Sequence, residues 1–111
     1  MKMSSKNEII EEIEKELERL NSIMLWAPYE ADIPDDILYL LEDAGVEAEF
    51  DGVYCNCSVV DHKVVYTQKS SWSVAILWKD NNREEHRICL TCMRGKENLM
   101  NFLKRMDDIK K

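Results

Sequence analysis

The sequence predicts an α+β domain with two N-terminal helices, an antiparallel β-sheet of about four to five strands and a C-terminal helix. Apolar residues recur at helical spacing near the N-terminus, alternate with polar residues after Gly45, and return to helical spacing after Gly95. The chain has 111 residues, which is close to the usual length of one domain. We therefore expect a single domain over residues 1–111, with an acidic helical part at 1–45 and the sheet and last helix at 46–111.

The first helix is predicted from a capping motif and an apolar stripe. Ser5 and Glu8 have the S-x-x-E spacing of a capping box, and Pro28 should end the helix at about Trp26. The apolar stripe recurs at steps of three and four residues and consists of Ile10, Ile13, Leu17, Leu20 and Met24. Two interpretations remain open: the stripe packs on its own domain, or it pairs with the same helix of a second copy in a homodimer.

The second helix should run from about Pro34 to Ala44. Proline suits a first helical turn, because the N–H that it lacks would have no partner there. Gly45 suits the left-handed position that closes many helices. The last helix is predicted over residues 96–109 from the renewed apolar spacing.

The strands are predicted from alternating apolar residues and from the turn signals between them. Asp51 and Gly52 offer the positive-φ pair of a type I′ hairpin turn, after which residues 53–60 form the return strand. Further strands are expected at 64–68, 72–78 and 85–90, with breaks at 69–71 and 79–82. The strand that contains Trp72 and Trp78 is apolar on both faces, so we expect it to be central.

Four cysteines form two close pairs, Cys55-x-Cys57 and Cys89-x-x-Cys92, separated by 31 residues. This arrangement is typical of a structural zinc site, because zinc binds four thiolates at about 2.3 Å and such a site has no open position for a substrate. Two cysteines at i and i+2 of a regular strand have backbones about 6.6 Å apart. If both bind one ion, residues 55–57 must therefore form a turn or a bulge.

A close cysteine pair, a β-hairpin region and a second C-x-x-C that leads into a terminal helix resemble a treble-clef or zinc-ribbon finger. The resemblance covers about residues 53–109, and its second pair lies in the segment from His86 to Cys92. The first pair is C-x-C, where these fingers usually have C-x-x-C. The resemblance implies a zinc ion and a local fold, but no specific activity.

Other interpretations of the cysteines remain open: two disulfides, unlinked buried thiols, or an iron–sulfur cluster. His62 and His86 are candidate substitutes for one cysteine ligand, although ordinary surface or strand positions are the more common place for such histidines. A nucleophilic pair of Cys89 or Cys92 with a histidine is conceivable, but no phosphate loop or nucleophile motif accompanies it. We therefore expect a protein that is not an enzyme.

The composition indicates a folded protein of the cytoplasm. Hydrophobic residues make up 45% and charged residues 33% of the chain, which is unlike a disordered segment. No apolar run approaches the roughly 18 residues of a membrane span, and the N-terminus lacks the features of a signal peptide. In a reducing compartment, cysteines are more often metal ligands than disulfides.

Charge is divided unequally along the chain. Residues 1–50 carry 14 acidic and 4 basic side chains, whereas residues 51–111 carry 8 acidic and 11 basic ones, for a net charge of −7. Only the C-terminal part could bind nucleic acid by neutralising phosphates. The candidate residues are Arg83, Arg87, Arg94, Lys96, Lys104 and Arg105. The same side chains could instead offset the negative charge of a zinc tetrathiolate.

These observations favour a non-catalytic regulator or adaptor that binds another protein through its acidic helices, with a structural zinc ion in the β-region. A nucleic-acid-binding zinc-finger protein is the alternative, in which Trp72 and Trp78 could also stack on bases. We further expect metal binding and folding of the C-terminal part to be coupled, because the ion would close a long loop.

Overall fold

A computed structural model describes residues 6–26 and 33–106. It has the predicted α+β class, with three helices and one three-stranded antiparallel sheet in the order β1-β2-β3. The elements in chain order are α1 (Lys6–Trp26), α2 (Asp36–Asp43), β1 (Ala48–Val60), β2 (Lys63–Lys79), β3 (Glu85–Cys89) and α3 (Lys96–Arg105). Within the described residues, no helix combines the length and apolar character needed to cross a bilayer.

The sheet has three strands instead of the predicted four to five, because two of the predicted breaks lie inside strands. Asp51 and Gly52 are in the middle of β1 and pair with residues of β2, so the type I′ turn predicted there is wrong. The turn between β1 and β2 lies at Asp61 and His62. Their φ values are 54° and 63°, and a type I′ turn requires such positive values at both central residues.

Gly52 is explained by a close approach within the sheet. The indole of Trp72 on β2 occupies the place that a Cβ atom at Gly52 would take. Glycine inside a strand often marks such an approach. The Asp-Gly pair therefore resembles a turn signal, although the glycine is needed for packing.

The second predicted break is a bulge inside β2. Cys55 pairs with Ser71 and Cys57 pairs with Tyr66, so residues 67–70 of β2 all lie opposite a single β1 residue. An excess of residues on one strand of a pair is a β-bulge, which bends the strands and increases their twist. The polar segment thus interrupts the pairing but does not end the strand.

The ends of the first two helices agree with the sequence prediction where the structure describes them. The described part of α1 reaches Trp26, and Ser5 and Pro28, the residues of the predicted start and stop signals, lie outside the described residues. Helix α2 begins two residues after Pro34, and Gly45 follows its C-cap with a φ of 88°. The left-handed backbone at Gly45 was the predicted helix-closing feature.

The last helix is shorter than predicted. Helix α3 ends at Arg105, because Met106 has extended backbone angles (φ −67°, ψ 125°). Residues 107–109 of the predicted helix lie outside the described residues.

All three helices contribute to one apolar core on one face of the sheet. The apolar stripe of α1 is at most 8% exposed and packs with residues of α2, the sheet and α3, including Ile37, Leu41, Ile76, Trp78, Ile88, Leu99 and Leu103. The stripe is therefore covered by its own domain, which is the first of the two interpretations. Helix pairing in a dimer through these side chains finds no support.

The central position of β2 is confirmed by the strand order. Trp78 is 1% exposed and its ring contacts those of His86 and Phe102, whereas Trp72 is 62% exposed. The predicted alternative in which both tryptophans form a base-stacking platform is therefore wrong, since Trp78 is in the core. Trp72 alone lies at the surface.

The core packing predicts the effect of truncating the stripe. Leu17→Ala should lower the free energy of unfolding by about 2–5 kcal/mol, because Leu17 is fully buried and the substitution leaves a cavity. Urea unfolding followed by circular dichroism measures this change. Glu18→Ala, at the exposed neighbouring position, should change the value by no more than about 0.5 kcal/mol. Equal midpoints for the two variants would contradict the packing.

Candidate metal centre

The four cysteines come from three separate segments and meet at one point. Cys55 and Cys57 lie on β1, Cys89 is the last residue of β3, and Cys92 is in the loop before α3. Their Sγ atoms all lie within 4.8 Å of one another, with 3.5 Å between Cys55 and Cys92 and 3.7 Å between Cys57 and Cys89. Four sulfurs around a tetrahedral zinc ion are about 3.8 Å apart, given the bond length of about 2.3 Å. The cluster therefore has the size of a four-thiolate zinc site.

The bulge that the C-x-C spacing required is present. The register between β1 and β2 shifts between Cys55 and Cys57. Both side chains are buried, whereas Asn56 between them is partly exposed and its Oδ1 accepts a hydrogen bond from Ser70 of the bulge. A bulge re-aims side chains at the point where a strand bends. Here it lets two thiols of one strand approach a single point.

The thiols are free, so the two disulfides that the sequence left open are not formed. The two shortest sulfur–sulfur distances are 3.5 and 3.7 Å, whereas a disulfide bond is about 2.05 Å long. Three of the cysteines are at most 4% exposed, and Cys92 is partly exposed. Val53 and Val64, which are partly buried, pack against the cluster.

A tight turn brings Cys89 and Cys92 together. The N–H of Met93 donates to the carbonyl of Cys89 (2.6 Å), and the N–H of Cys89 donates to the carbonyl of Arg94 (3.0 Å). Met93 and Gly95 have φ values of 66° and 96°. These left-handed residues reverse the chain and direct it into α3. We refer to residues 89–95 as the cysteine turn.

Two polar contacts hold the cysteine turn to the rest of the domain. The side-chain amide of Asn21 on α1 donates to the carbonyls of Leu90 (2.9 Å) and Thr91 (2.8 Å). The hydroxyls of Thr91 and Ser73 are 2.8 Å apart and both residues are buried. Asn21, Ser73 and Thr91 were not predicted from the sequence to lie near the cysteines. The sequence signal for them was weak: Asn21 follows the stripe residue Leu20 within a predicted helix, although asparagine is a poor helix former.

The surroundings shift the pKa values of three thiols in different directions. Burial, followed by hydrogen bonding with Cys55, raises the pKa of Cys57. Burial also raises the pKa of Cys92 to about 11. Burial acts in the same direction on Cys89, but the backbone N–H of Cys92 and the Ser73 hydroxyl outweigh it, so that the pKa of Cys89 lies below its ordinary value. The site therefore favours one thiolate and resists the accumulation of more negative charge without a cation.

The arrangement suits a soft divalent cation. Four sulfur ligands at tetrahedral spacing select zinc or an iron–sulfur cluster over hard cations, which prefer oxygen ligands. A metal ion would replace the protons of Cys57 and Cys92, since only thiolates are ligands. Because all four ligands are protein side chains, such a centre would have no open position for a substrate.

The two histidines lie elsewhere. His62, at the β1–β2 turn, stacks on Trp26 with ring centroids 3.9 Å apart, and its Nδ1 is 3.2 Å from the carbonyl oxygen of Leu25. His86 stacks on Trp78 and places Nε2 at 2.9 Å from a carboxylate oxygen of Asp80. Neither belongs to the cysteine cluster, so the histidine-substituted metal site and the Cys–His nucleophile pair are not formed.

Asp80, Glu84 and His86 form a second group whose ligand atoms are close enough for a cation. The carboxylate of Asp80 stabilises the β2–β3 turn, because it accepts hydrogen bonds from the backbone N–H groups of Asn82 and Glu84. The hydrogen bond from His86, followed by the one from the Glu84 N–H, lowers the pKa of Asp80. These hydrogen bonds explain why Asp80, Glu84 and His86 lie close together: they stabilise the β2–β3 turn.

The predicted basic patch is divided. Arg83 lies 3.6 Å from a carboxylate oxygen of Glu47, and Arg87 lies 2.9 Å from one of Asp51. Three others, Arg94, Lys96 and Lys104, line a cleft of about 660 Å³ between α1 and α3, where Glu14 pairs with Lys96 at 3.1 Å. Arg105 is exposed near the end of α3. The six residues therefore do not form one uninterrupted positive surface.

No family model matches the chain, and no characterised protein or solved structure matches it. The similarity to treble-clef and zinc-ribbon fingers therefore concerns the arrangement of the cysteines before a last helix and assigns no family. The four clustered cysteines are compatible with a cysteine-ligated metal site.

The cysteine turn predicts an unusually costly glycine substitution. Gly95→Ala should lower the free energy of unfolding by more than about 1 kcal/mol, because Gly95 has a positive φ and a Cβ there would collide with the backbone carbonyl of Arg87. Gly45→Ala is the matched control, since Gly45 also has a positive φ but, among the described residues, its Cβ would be in ordinary contact with Met106, at 3.8 Å. Urea unfolding should show the larger loss for Gly95→Ala, and the reverse order would contradict the turn geometry.

Proposed function

We propose that the protein is a small non-catalytic regulator or adaptor in which a single structural zinc ion, bound by Cys55, Cys57, Cys89 and Cys92, joins the sheet to the start of α3. The observation that carries this proposal is the cluster of four sulfur atoms within 4.8 Å, three of which belong to buried cysteines. A local fold of the treble-clef or zinc-ribbon kind is part of the proposal.

Zinc and a structural role fit the site better than the other options. Zinc has no geometric preference of its own and accepts a tetrahedron of thiolates, and a site closed by four side chains stabilises a fold without activating a substrate. Cysteines that cluster as metal ligands are typical of reducing compartments, and we propose the cytoplasm.

The outer face of α1 is the proposed contact surface for a protein partner. Opposite the buried stripe, the side chains of α1 that the structure describes as exposed include more carboxylates than cations: Glu8, Glu11, Glu12 and Glu18, against Lys15 and Arg19. Arg19 is itself 2.9 Å from Glu16 and 3.6 Å from Asp36. A surface with this charge is complementary to a basic protein partner, because opposite potentials steer association and fix orientation.

Nucleic-acid binding through the basic residues remains the competing proposal. It is weakened because Arg83, Arg87 and Lys96 each lie within 4 Å of a carboxylate, with distances of 3.6, 2.9 and 3.1 Å. Such pairing reduces the charge available to phosphates.

The zinc proposal predicts a mass difference. The native mass should exceed the denatured mass by one zinc ion, and Cys92→Ser should remove this excess because it deletes one ligand. His62→Ala is the control and should keep the ion, since His62 lies at the β1–β2 turn. A native mass that is four hydrogens too low, with no metal, would mean two disulfides and would contradict the proposal.

The bound zinc should also depend on pH and stabilise the fold. The pKa values of Cys57 and Cys92 lie above the ordinary thiol value, so both are protonated at neutral pH without metal, and protons compete with zinc. Zinc affinity should therefore fall as the pH is lowered from about 8 to about 5.5, and calorimetry should detect released protons. Chelation should loosen residues 53–60 and the cysteine turn in hydrogen exchange. An unchanged affinity over this range would contradict thiolate ligation.

The contact-surface proposal predicts a site-specific loss of partner binding. Glu11→Lys combined with Glu18→Lys reverses the charge on one side of α1, and should abolish co-purification of the partner from the source cell, as measured by quantitative mass spectrometry. Glu84→Lys with Glu85→Lys, at the exposed β2–β3 turn, makes the same charge change and should not. Identical partners for both variants would contradict the proposal, as would tight, steeply salt-dependent binding of nucleic acid in a mobility-shift assay.

A further inference from the structure

The outer edge of β1 is the starting observation. In the part of the chain that the structure describes, β1 has a single hydrogen-bonded neighbour, β2, so its other edge presents a row of backbone N–H and C=O groups. Residues 52–60 of this strand contain no charged residue and no proline. Proteins usually protect a long edge with charges, proline, a bulge or a covering segment, because an open edge is a template for pairing with another strand. The bulge at residues 55–57 has its extra residues on β2, and β1 itself is one strand from Ala48 to Val60.

A pair of exposed aromatic residues lies on the same part of the sheet. Tyr54 is 74% exposed, and it is directly opposite Trp72, which is 62% exposed. Cross-strand partners share a face, and the other pairs on this face, such as Phe50 with Ile76, pack in the core beneath the helices. The aromatic pair therefore continues the apolar face of the sheet beyond the helices.

We infer that β1 pairs antiparallel with β1 of a second copy of this chain, and that the twofold axis passes near Tyr54. The two sheets then join into one sheet of six strands. Tyr54 of each copy lies opposite the other, and the two Trp72 side chains flank them one strand further out. This row of four aromatic side chains buries the two largest exposed rings of the sheet face, and cross-strand aromatic pairs are favourable.

The charge pattern of β1 favours a second copy as the occupant. The acidic residues of the strand, Glu49 and Asp51, lie only in its first part. In an antiparallel pair centred on Tyr54, they face uncharged residues 57–59 of the other strand, so that no like charges are opposed. A strand that is acidic at one end and uncharged at the other is thus self-complementary in this orientation. This interface differs from the dimer predicted through the apolar stripe of α1, whose side chains are buried in their own domain. It does not depend on the zinc proposal.

Light scattering coupled to size-exclusion chromatography tests the dimer with the full chain. The protein should change from monomer to dimer as its concentration rises from about 10 to about 500 µM. Tyr54→Lys should weaken dimerisation at least tenfold, because it opposes two positive charges at the axis. Tyr39→Lys, which changes a 60% exposed tyrosine on α2, is the control and should dimerise as the original protein does.

Hydrogen exchange provides a test that needs no variant. Residues 52–60 should become more protected with concentration, while β3, the opposite edge of the sheet, should not change. A monomer at every concentration overturns the proposal, and so does a dimer that tolerates Tyr54→Lys or that protects β3 instead. The native mass tests the zinc proposal independently of these measurements. A failure of the dimer proposal is therefore distinguishable from a failure of the zinc proposal.

Discussion

The arrangement of the cysteine centre depends on one geometric constraint: two cysteines two residues apart on a strand cannot reach the same point while that strand is regular. The chain meets the constraint with extra residues on the neighbouring strand, where residues 67–70 lie opposite Asn56. The resulting bend brings Cys55 and Cys57 towards the cysteine turn. The polar segment in β2, which contributes nothing to the core, is therefore what makes a four-sulfur centre feasible.

The centre and the helical core occupy opposite faces of the same sheet. Ile88 of β3 pairs with Ile76 and belongs to the helical core, whereas the next residue, Cys89, pairs with Ala75 and belongs to the cysteine cluster. A sheet needs cover on each apolar face. Helices supply it on one side, and four sulfurs with two valines supply it on the other. Asn21 links the two sides, since it extends from α1 to the cysteine turn.

The features predicted correctly from the sequence are those with a local cause. The positive φ at Gly45 and the need for a bulge at residues 55–57 follow from propensity or bond lengths, and the structure has both. The errors have a tertiary cause. Gly52 is required by the ring of Trp72, a contact across strands that no local pattern reveals. The contacts of Asn21 with the cysteine turn span about 70 residues and were invisible for the same reason.

The separation of the two clusters limits how much of the fold a metal ion can control. Sixteen buried residues of the described ranges form the helical core without any cysteine, so their burial does not require the ion. Among the described residues, the apolar side chains that pack against the cysteine cluster are Val53 and Val64, so this cluster buries much less apolar surface than the helical core does. Metal loss should therefore act first on the β1–β2 hairpin and the cysteine turn. The helical core would follow to the extent that Leu90, which belongs both to the cysteine turn and to that core, and the contacts of Asn21 and Thr91 transmit the disorder. The coupling between metal and folding would then be graded along the chain.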